Sequence, residues 1–388
     1  MKSALVTPYL KKPSLDKDVL NNFRPISKLS FVSKLTERVV LRRLIDHVSS
    51  GNLHETFQSA YKPNHSTETA LTRIQNDILM ALDNKRGVVL VLLDLSAAFD
   101  TVDHTLLLAC MKRIGVIDVA HQWFESYLSS RTQTVCLGQT KSDTLELRQG
   151  VPQGSVLGPV LFTLYTGPIG QIIRRHRLDF HLFADDSQLY VSFKINDTND
   201  ETIALARIQA CVDDLKAWMI HHRLQLNDSK TEVLVFTTPS SAGKHNLTDV
   251  VIGDSILKPT TVARNLGVMF DSAFNMKSQV SKLCQAAYYH LHRIRAIRDC
   301  LTQHATELLV HALVISRLDY GNSLLYGLPD LLLDKLQRAQ NAAARVVVKA
   351  SRYDHVTQIL ETLHWLPVRY WGTFYVRCKS MCVAYITD

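Results

Sequence analysis

Three aspartates in this 388-residue chain sit where ordinary surface charge does not explain them. Asp94 ends the apolar run Val88-Val89-Leu90-Val91-Leu92-Leu93, and Asp185-Asp186 lie inside Leu182-Phe183-Ala184-Asp185-Asp186. An unbroken Val/Leu run reads as a strand buried on both faces, where a carboxylate is costly unless a cation or a base offsets its charge. Carboxylates from adjacent strands can hold a pair of hard, oxygen-preferring ions about 4 Å apart. Such a pair activates a hydroxyl and steadies a triphosphate during phosphoryl transfer. Each piece alone is weak, because Asp-Asp pairs are common in turns and a strand-end Asp often caps the next helix.

The elements that would position these residues can be read from periodicity. Asp185-Asp186 lie between Leu178–Leu182 and Gln188–Phe193, two strand-like segments that a tight turn folds into a hairpin. Residues up to about Arg86 read as basic loops around two amphipathic helices, Phe31–His47 and Thr67–Leu82. Asp103 is placed to cap a helix over His104–Ile114, closed by Gly115, with another over Val119–Leu128. Thr132–Leu137 and Thr144–Leu147 read as short strands, Gly150–Ser155 as a loop, and Pro159–Ile173 as a helix. A long helix over Glu201–Met219 precedes the short strands Leu224–Leu226 and Val233–Phe236, with a loop at Pro239–Gly243. Beyond Asp271 the pattern is helical: Lys277–Cys300, Thr302–Arg317, Pro329–Lys349 and a last helix from Val368. On the third of these Arg338, Arg345 and Lys349 share a face, as expected of a helix that tracks phosphates.

Bulk properties bound the function. At 46% hydrophobic residues the chain can bury a large core in two or three lobes, and its net charge of +8 favours a polyanionic partner. Seven cysteines without ligand-like spacing read as reduced thiols, Cys378 and Cys382 included, in an intracellular protein, nuclear or cytoplasmic. In that compartment the sequons at Asn64 and Asn246 carry no meaning. No apolar stretch approaches the roughly 20 residues that span a bilayer, so no membrane partner is expected.

The order of the motifs decides more than any one of them. Phe23-Arg24-Pro25-Ile26-Ser27, Gln58-Ser59-Ala60-Tyr61-Lys62 with His65-Ser66-Thr67-Glu68, Leu93-Asp94-Leu95-Ser96-Ala97-Ala98-Phe99-Asp100, Gln149-Gly150-Val151-Pro152-Gln153-Gly154 and Phe183-Ala184-Asp185-Asp186 follow in turn. Leu226-Asn227-Asp228-Ser229-Lys230-Thr231-Glu232, Asn265-Leu266-Gly267-Val268 and Leu318-Asp319-Tyr320-Gly321-Asn322 continue the series. Across essentially its whole length the chain resembles reverse transcriptases of LINE-type (non-long-terminal-repeat) retrotransposons, of the jockey and chicken-repeat kind. The resemblance implies an α+β right-hand polymerase, with fingers and an antiparallel-sheet palm over residues 1–271 and an all-helical thumb from 272 to 388.

By that resemblance Asp94, Asp185 and Asp186 are catalytic metal ligands for two Mg2+ ions, with Mn2+ as a substitute, and Lys230 lies near the triphosphate as a proton donor to the leaving pyrophosphate. Phe99 is implied as a gate beneath the sugar of the incoming nucleotide, and Gln153-Gly154 as the loop supporting the nascent base pair, where a glycine lets backbone approach a substrate. Arg24 and Lys62 would face phosphates from the fingers, and Leu266-Gly267 would be the primer grip. Two departures stand out: Ala60-Tyr61-Lys62 replaces the family's frequent Gly-Phe-Arg, losing arginine's bidentate fork, and Phe183 stands where many members have Tyr.

The partners implied are an RNA template, a DNA primer and deoxynucleotides. Full LINE-type proteins carry an upstream endonuclease, whereas this chain begins in the polymerase region and stops within a helical pattern. The expectation is a retrotransposon-derived piece with an intact polymerase core, a shortened C-terminal region and no nicking activity. The rival expectation is a folded relic that only binds nucleic acid. An intron maturase-like enzyme fits the Ser96-Ala97-Ala98-Phe99-Asp100 wording less well.

Overall fold

The computed structural model describes residues 2–371 except 97, 98, 242, 244, 246 and 254. Its first element is one that periodicity does not predict. Strand β1 (Ser3–Leu10) pairs antiparallel with β2 (Phe23–Lys28), and Pro8 faces Pro25 across the ladder. Proline removes a ladder donor, which is why these segments do not read as strands. They are tolerated because β1 pairs with its other neighbour only over Ser3–Val6, leaving Pro8 on an edge.

Two helices follow where periodicity placed them. Helix α1 (Phe31–Ser50) is capped by Ser30, and α2 (Thr67–Asp83) opens with a reciprocal capping box between Ser66 and Thr69. Next come β3 (Arg86–Leu93), β4 (Leu95–Ser96), α3 (His104–Arg113) with the expected Asp103 cap, and α4 (Asp118–Leu128). Strand β5 (Arg131–Leu137) runs parallel to β1 and pairs with β6 (Thr140–Lys141) and β7 (Leu145–Leu147), completing the fingers sheet.

The helix expected over Pro159–Ile173 is two, α5 (Gly158–Thr166) and α6 (Ile169–Arg175). They divide at Gly167-Pro168, where proline has no N–H and clashes with the preceding turn. The palm hairpin is β8 (Asp179–Phe183) and β9 (Asp186–Lys194), followed by the long α7 (Thr198–His221). Strands β10 (Gln225–Leu226) and β11 (Glu232–Phe236) return to the palm. The palm sheet is antiparallel throughout, in the order β11-β3-β9-β8. Two small hairpins went unread in the sequence: β12 (Val250–Ile252) with β13 (Ser255–Leu257), and β14 (Val262–Asn265) with β15 (Val268–Asp271). Strands of three or four residues give too little alternation to detect.

The rest is helical: α8 (Lys277–Ala296), α9 (Gln303–Val310), a π turn over His311–Ile315, α10 (Ser316–Asp319), α11 (Asp330–Val348) and α12 (Val356–Thr362). Residues 368–371 are helical, and the remainder of the helix expected from Val368, with Cys378 and Cys382, lies outside the described residues. The basic face on α11 is less free than its spacing implied. Lys349 pairs with Asp299 at 2.8 Å and Arg345 donates to the Asp354 carbonyl at 3.2 Å, leaving Arg338 exposed.

Two apolar cores flank the palm sheet. Val89, Val91, Leu189, Val191 and Phe193 point to one, shared with α3, α5, α6 and α7. The alternate residues Val88, Leu90 and Tyr190 point to the other, which also holds Leu71 and Ile74 of α2 and Leu283 and Leu336 of the helical region. The helices beyond residue 271 therefore share a core with the antiparallel sheet β11-β3-β9-β8.

Candidate active site

Strand pairing explains how residues distant in sequence meet. The last paired positions of β3 and β9 are Leu93 with Ser187 and Leu92 with Gln188. The residues next beyond this pair are Asp94, just past β3, and Asp186, the first of β9, and the charge of Asp94 acts on Asp186. Opposed carboxylates on neighbouring strands repel unless a cation lies between them. Asp185 occupies the two-residue hairpin loop beside them, since Phe183 pairs directly with Asp186.

Electrostatics reports the same cluster. Burial first, then the charges of Asp185 and Asp94, pushes the Asp186 carboxyl up to about 6. Asp185 is raised chiefly by burial and also by Asp94, with Lys230 and Arg24 acting in the opposite direction. Lys230 closes the turn Asp228–Lys230, which is anchored by the Asn227 N–H to the Asp94 carbonyl at 2.9 Å. Its ammonium lies 2.5 Å from Asp94 Oδ2. Three carboxylates and two cations from four separate segments thus act on one another.

The donors are all carboxylate oxygens, the set a hard divalent cation prefers, and the raised pKa values of Asp185 and Asp186 mark a place where positive charge is favoured. As they stand they do not close around an ion: among the described residues no three His, Cys, Asp or Glu side chains form such a group, and Lys230 occupies Asp94. The donor chemistry fits divalent cations; Asp94 would have to exchange its ammonium partner for one.

The hairpin loop is held from beneath. Ala184 has φ of +56°, a conformation that costs an L side chain energy. The buried Gln58 offsets this by accepting from the Ala184 N–H at 3.1 Å and the Ala60 N–H at 2.9 Å through one oxygen. Residues 57–59 also lie along β8: the Leu182 N–H donates to the Phe57 carbonyl and the Ser59 N–H to the Leu182 carbonyl. Ser59 Oγ is 2.8 Å from His181 Nε2. No local pattern around Gln58 displays its support of the Ala184 turn, because the bond spans distant segments.

The loop expected beneath a nascent base pair is built against the fingers. Gly154 has φ of +111°, and a Cβ there would meet the Ser27 carbonyl oxygen at 2.7 Å. The close approach that demands glycine is thus to β2, where the sequence reading expected a substrate. The Ser27 N–H donates to the Gln153 carbonyl at 2.7 Å, and the Gln153 side chain donates to Asp100 Oδ2 at 2.9 Å. Asp100, raised by burial and eased by that bond, is a site residue the sequence reading did not single out. Phe99, its neighbour, stacks on Phe162 with centroids 4.6 Å apart, and its carbonyl accepts from the Val151 N–H.

Arg24 lies in β2 opposite Tyr9, and its charge reaches Asp185. Lys62 acts on His54 and His181, while its neighbour Tyr61, raised by burial and then by Asp185, faces the carboxylates. Leu266 and Gly267, with φ of +42° and +92°, form the turn between β14 and β15.

Comparison with known proteins agrees. The family model for "Reverse transcriptase (RNA-dependent DNA polymerase)" matches residues 10–270. The chain belongs to the reverse transcriptase family. Two curated relatives come from Drosophila melanogaster. This reverse transcriptase chain is 27% identical over 373 residues to the probable RNA-directed DNA polymerase from transposon BS, covering 92% of the chain and 39% of that protein. It is 27% identical over 293 residues to the RNA-directed DNA polymerase from mobile element jockey, covering 74% of the chain and 30% of that protein. The chain therefore spans less than half the length of these relatives. Among solved structures, apo telomerase from Candida tropicalis superposes with a TM-score of 0.52 at 11% identity, over 93% of this chain and 59% of that one. This likeness supports the right-hand polymerase fold.

Proposed function

We propose that this chain extends a DNA primer on an RNA template, joining deoxynucleotides by two-metal nucleotidyl transfer as part of a non-long-terminal-repeat retrotransposon protein. The observation that carries the proposal is the convergence of Asp94, Asp185 and Asp186 with Lys230 on one palm face, within the region matched by the family model. Divalent ions, Mg2+ first, would supply the Lewis acidity that lowers the pKa of the primer hydroxyl and neutralises the triphosphate. Asp94 and Asp186 at the end of the palm sheet and Asp185 in its hairpin loop would hold that charge once Lys230 releases Asp94. Lys230, on an exposed turn, can leave Asp94 and offer its proton to the departing pyrophosphate. Arg24 adds positive charge beside the same carboxylates. Phe99, braced by Phe162, is the proposed barrier to a 2′ hydroxyl, and Leu266-Gly267 the proposed primer grip. Such a protein works inside the cell, in nucleus or cytoplasm. Among the described residues no helix is long and apolar enough to cross a membrane.

Primer extension on an RNA template with deoxynucleotides and Mg2+ tests the reading against Asp185→Asn. Loss of about a thousand-fold or more is expected, matching the several kcal/mol a metal site contributes. Equal extension by both proteins would refute the assigned site. Salt-sensitive binding with no extension by the unaltered chain would favour the relic instead.

A further inference from the structure

The segment Leu318-Asp319-Tyr320-Gly321-Asn322 has no assigned task, yet it lies where three parts of the molecule meet. Tyr320 ends α10, and its hydroxyl is 2.6 Å from the Leu266 carbonyl oxygen and 3.0 Å from Thr67 Oγ1. A tyrosine hydroxyl carries one proton, and a carbonyl can only accept. The single Tyr320 proton therefore lies between two acceptors, the Leu266 carbonyl at the shorter distance and Thr67 Oγ1 at the longer. Leu266 and Gly267 form the β14–β15 turn, and a Cβ on Gly267 would come within 3.0 Å of the Tyr320 ring. Gly321 lies over the same hairpin, where a Cβ would meet Val268 at 3.2 Å.

The far side of this junction is equally well tied. Glu68 accepts from the Ser323 N–H at 2.8 Å, Thr72 and Ser323 share a hydroxyl bond at 3.1 Å, and Gln75 donates to the Leu324 carbonyl at 3.1 Å. The first turns of α2 thus grip the short 3-10 turn Asn322–Leu325, and Tyr320 extends that grip to the β14–β15 turn.

We infer that Tyr320 is a positioning residue for the primer end, its hydroxyl tying the Leu266-Gly267 turn to the start of α2 by donating to the Leu266 carbonyl and to Thr67 Oγ1. The inference rests on the reading of Leu266-Gly267 as the primer grip. It explains why the Ser66-Thr67-Glu68, Leu266-Gly267 and Asp319-Tyr320-Gly321 motifs occur in one chain: they are three sides of one joint. Leu266 has φ of +42°, a conformation that an unsupported leucine would leave readily, so a bond to its carbonyl is well placed to hold the turn.

The test is steady-state primer extension by the whole chain, with primer–template and deoxynucleotide varied separately. Tyr320→Phe keeps the ring against Gly267 and removes both hydroxyl bonds. The KM for primer–template is expected to rise about three- to ten-fold, the range of one hydrogen bond, and more than the KM for deoxynucleotide or kcat changes. Thr67→Val, which leaves the bond to Leu266, should raise it less, and the double variant should be no worse than Tyr320→Phe alone. An unchanged primer KM in Tyr320→Phe, equal losses in both KM values, or full additivity with Thr67→Val would overturn the inference. Gly267→Ala separates the two readings. If it alone raises the primer KM, the primer grip stands and the role of Tyr320 falls; if it too leaves primer KM unmoved, the primer-grip reading itself is wrong.

Discussion

Asp94 and Asp186 come together because one follows β3 and the other opens its neighbour β9 at the same end of one sheet, and that approach of like charges is unfavourable without positive charge. Lys230 supplies that charge in the structure. The third carboxylate, Asp185, depends on a loop whose Ala184 is in the left-handed region and whose N–H is claimed by Gln58. Gln58→Met keeps the volume and removes the acceptor, leaving two N–H groups unpaired at about 1–3 kcal/mol each. The expected result is a kcat for primer extension at least about ten-fold lower, with a higher Mg2+ requirement and a smaller change in primer KM. Gln58→Glu, which keeps both acceptor bonds, should fall less; if Met and Glu variants match the unaltered protein, Gln58 does not position the loop. The three aspartates were legible from residue type and strand context, whereas Gln58, Asp100 and Tyr320 act through partners 53 to 253 residues distant, which no local pattern displays.

Among the elements, those with long, regular patterns were readable and those with short or interrupted ones were not. Helices α1, α2, α3 and α7 carry a sustained apolar face and, in three cases, a capping side chain at the expected start. Strands β1 and β2 hide behind prolines, and β12 to β15 are too short to show a period. The fingers sheet matters because the Gln153-Gly154 loop rests on it. Gly154→Ala would place a methyl against the Ser27 carbonyl in a backbone conformation that alanine avoids. A cost of at least about 2 kcal/mol is expected, read as a lower melting temperature. An unshifted melt would show that the loop does not lie against β2 in solution.

For the whole molecule, pH exposes how the palm is held together. His181 is buried, and burial first, then Arg73, His65 and Lys62, pushes its pKa from 6.5 down to about 4. The unfolded chain therefore binds an extra proton between those values, so this contribution to stability is complete above pH 6.5 and is lost as the pH falls toward 4. Asp186, raised to about 6, has the opposite sign, because the cost of burying its charge is relieved on acidification. Comparing His181→Gln with the unaltered chain isolates the histidine. Chemical denaturation at neutral and acid pH should show the unaltered protein losing on the order of 2–3 kcal/mol more than the variant; parallel pH profiles would overturn this account.

The sequence by itself determined the secondary structure with strong periodicity, the basic charge, the three carboxylates and, through motif order, the family. Those properties are local, written in residue type and spacing along a few turns of chain. Tertiary structure alone decided which strands are neighbours, and so which aspartate faces which. It also decided that Gly154 accommodates β2, that Gln58 supports the Ala184 turn, and that a thumb tyrosine bonds the β14–β15 turn. Register and close backbone approach are set by the packing of distant segments, and a linear pattern does not encode the distance between them.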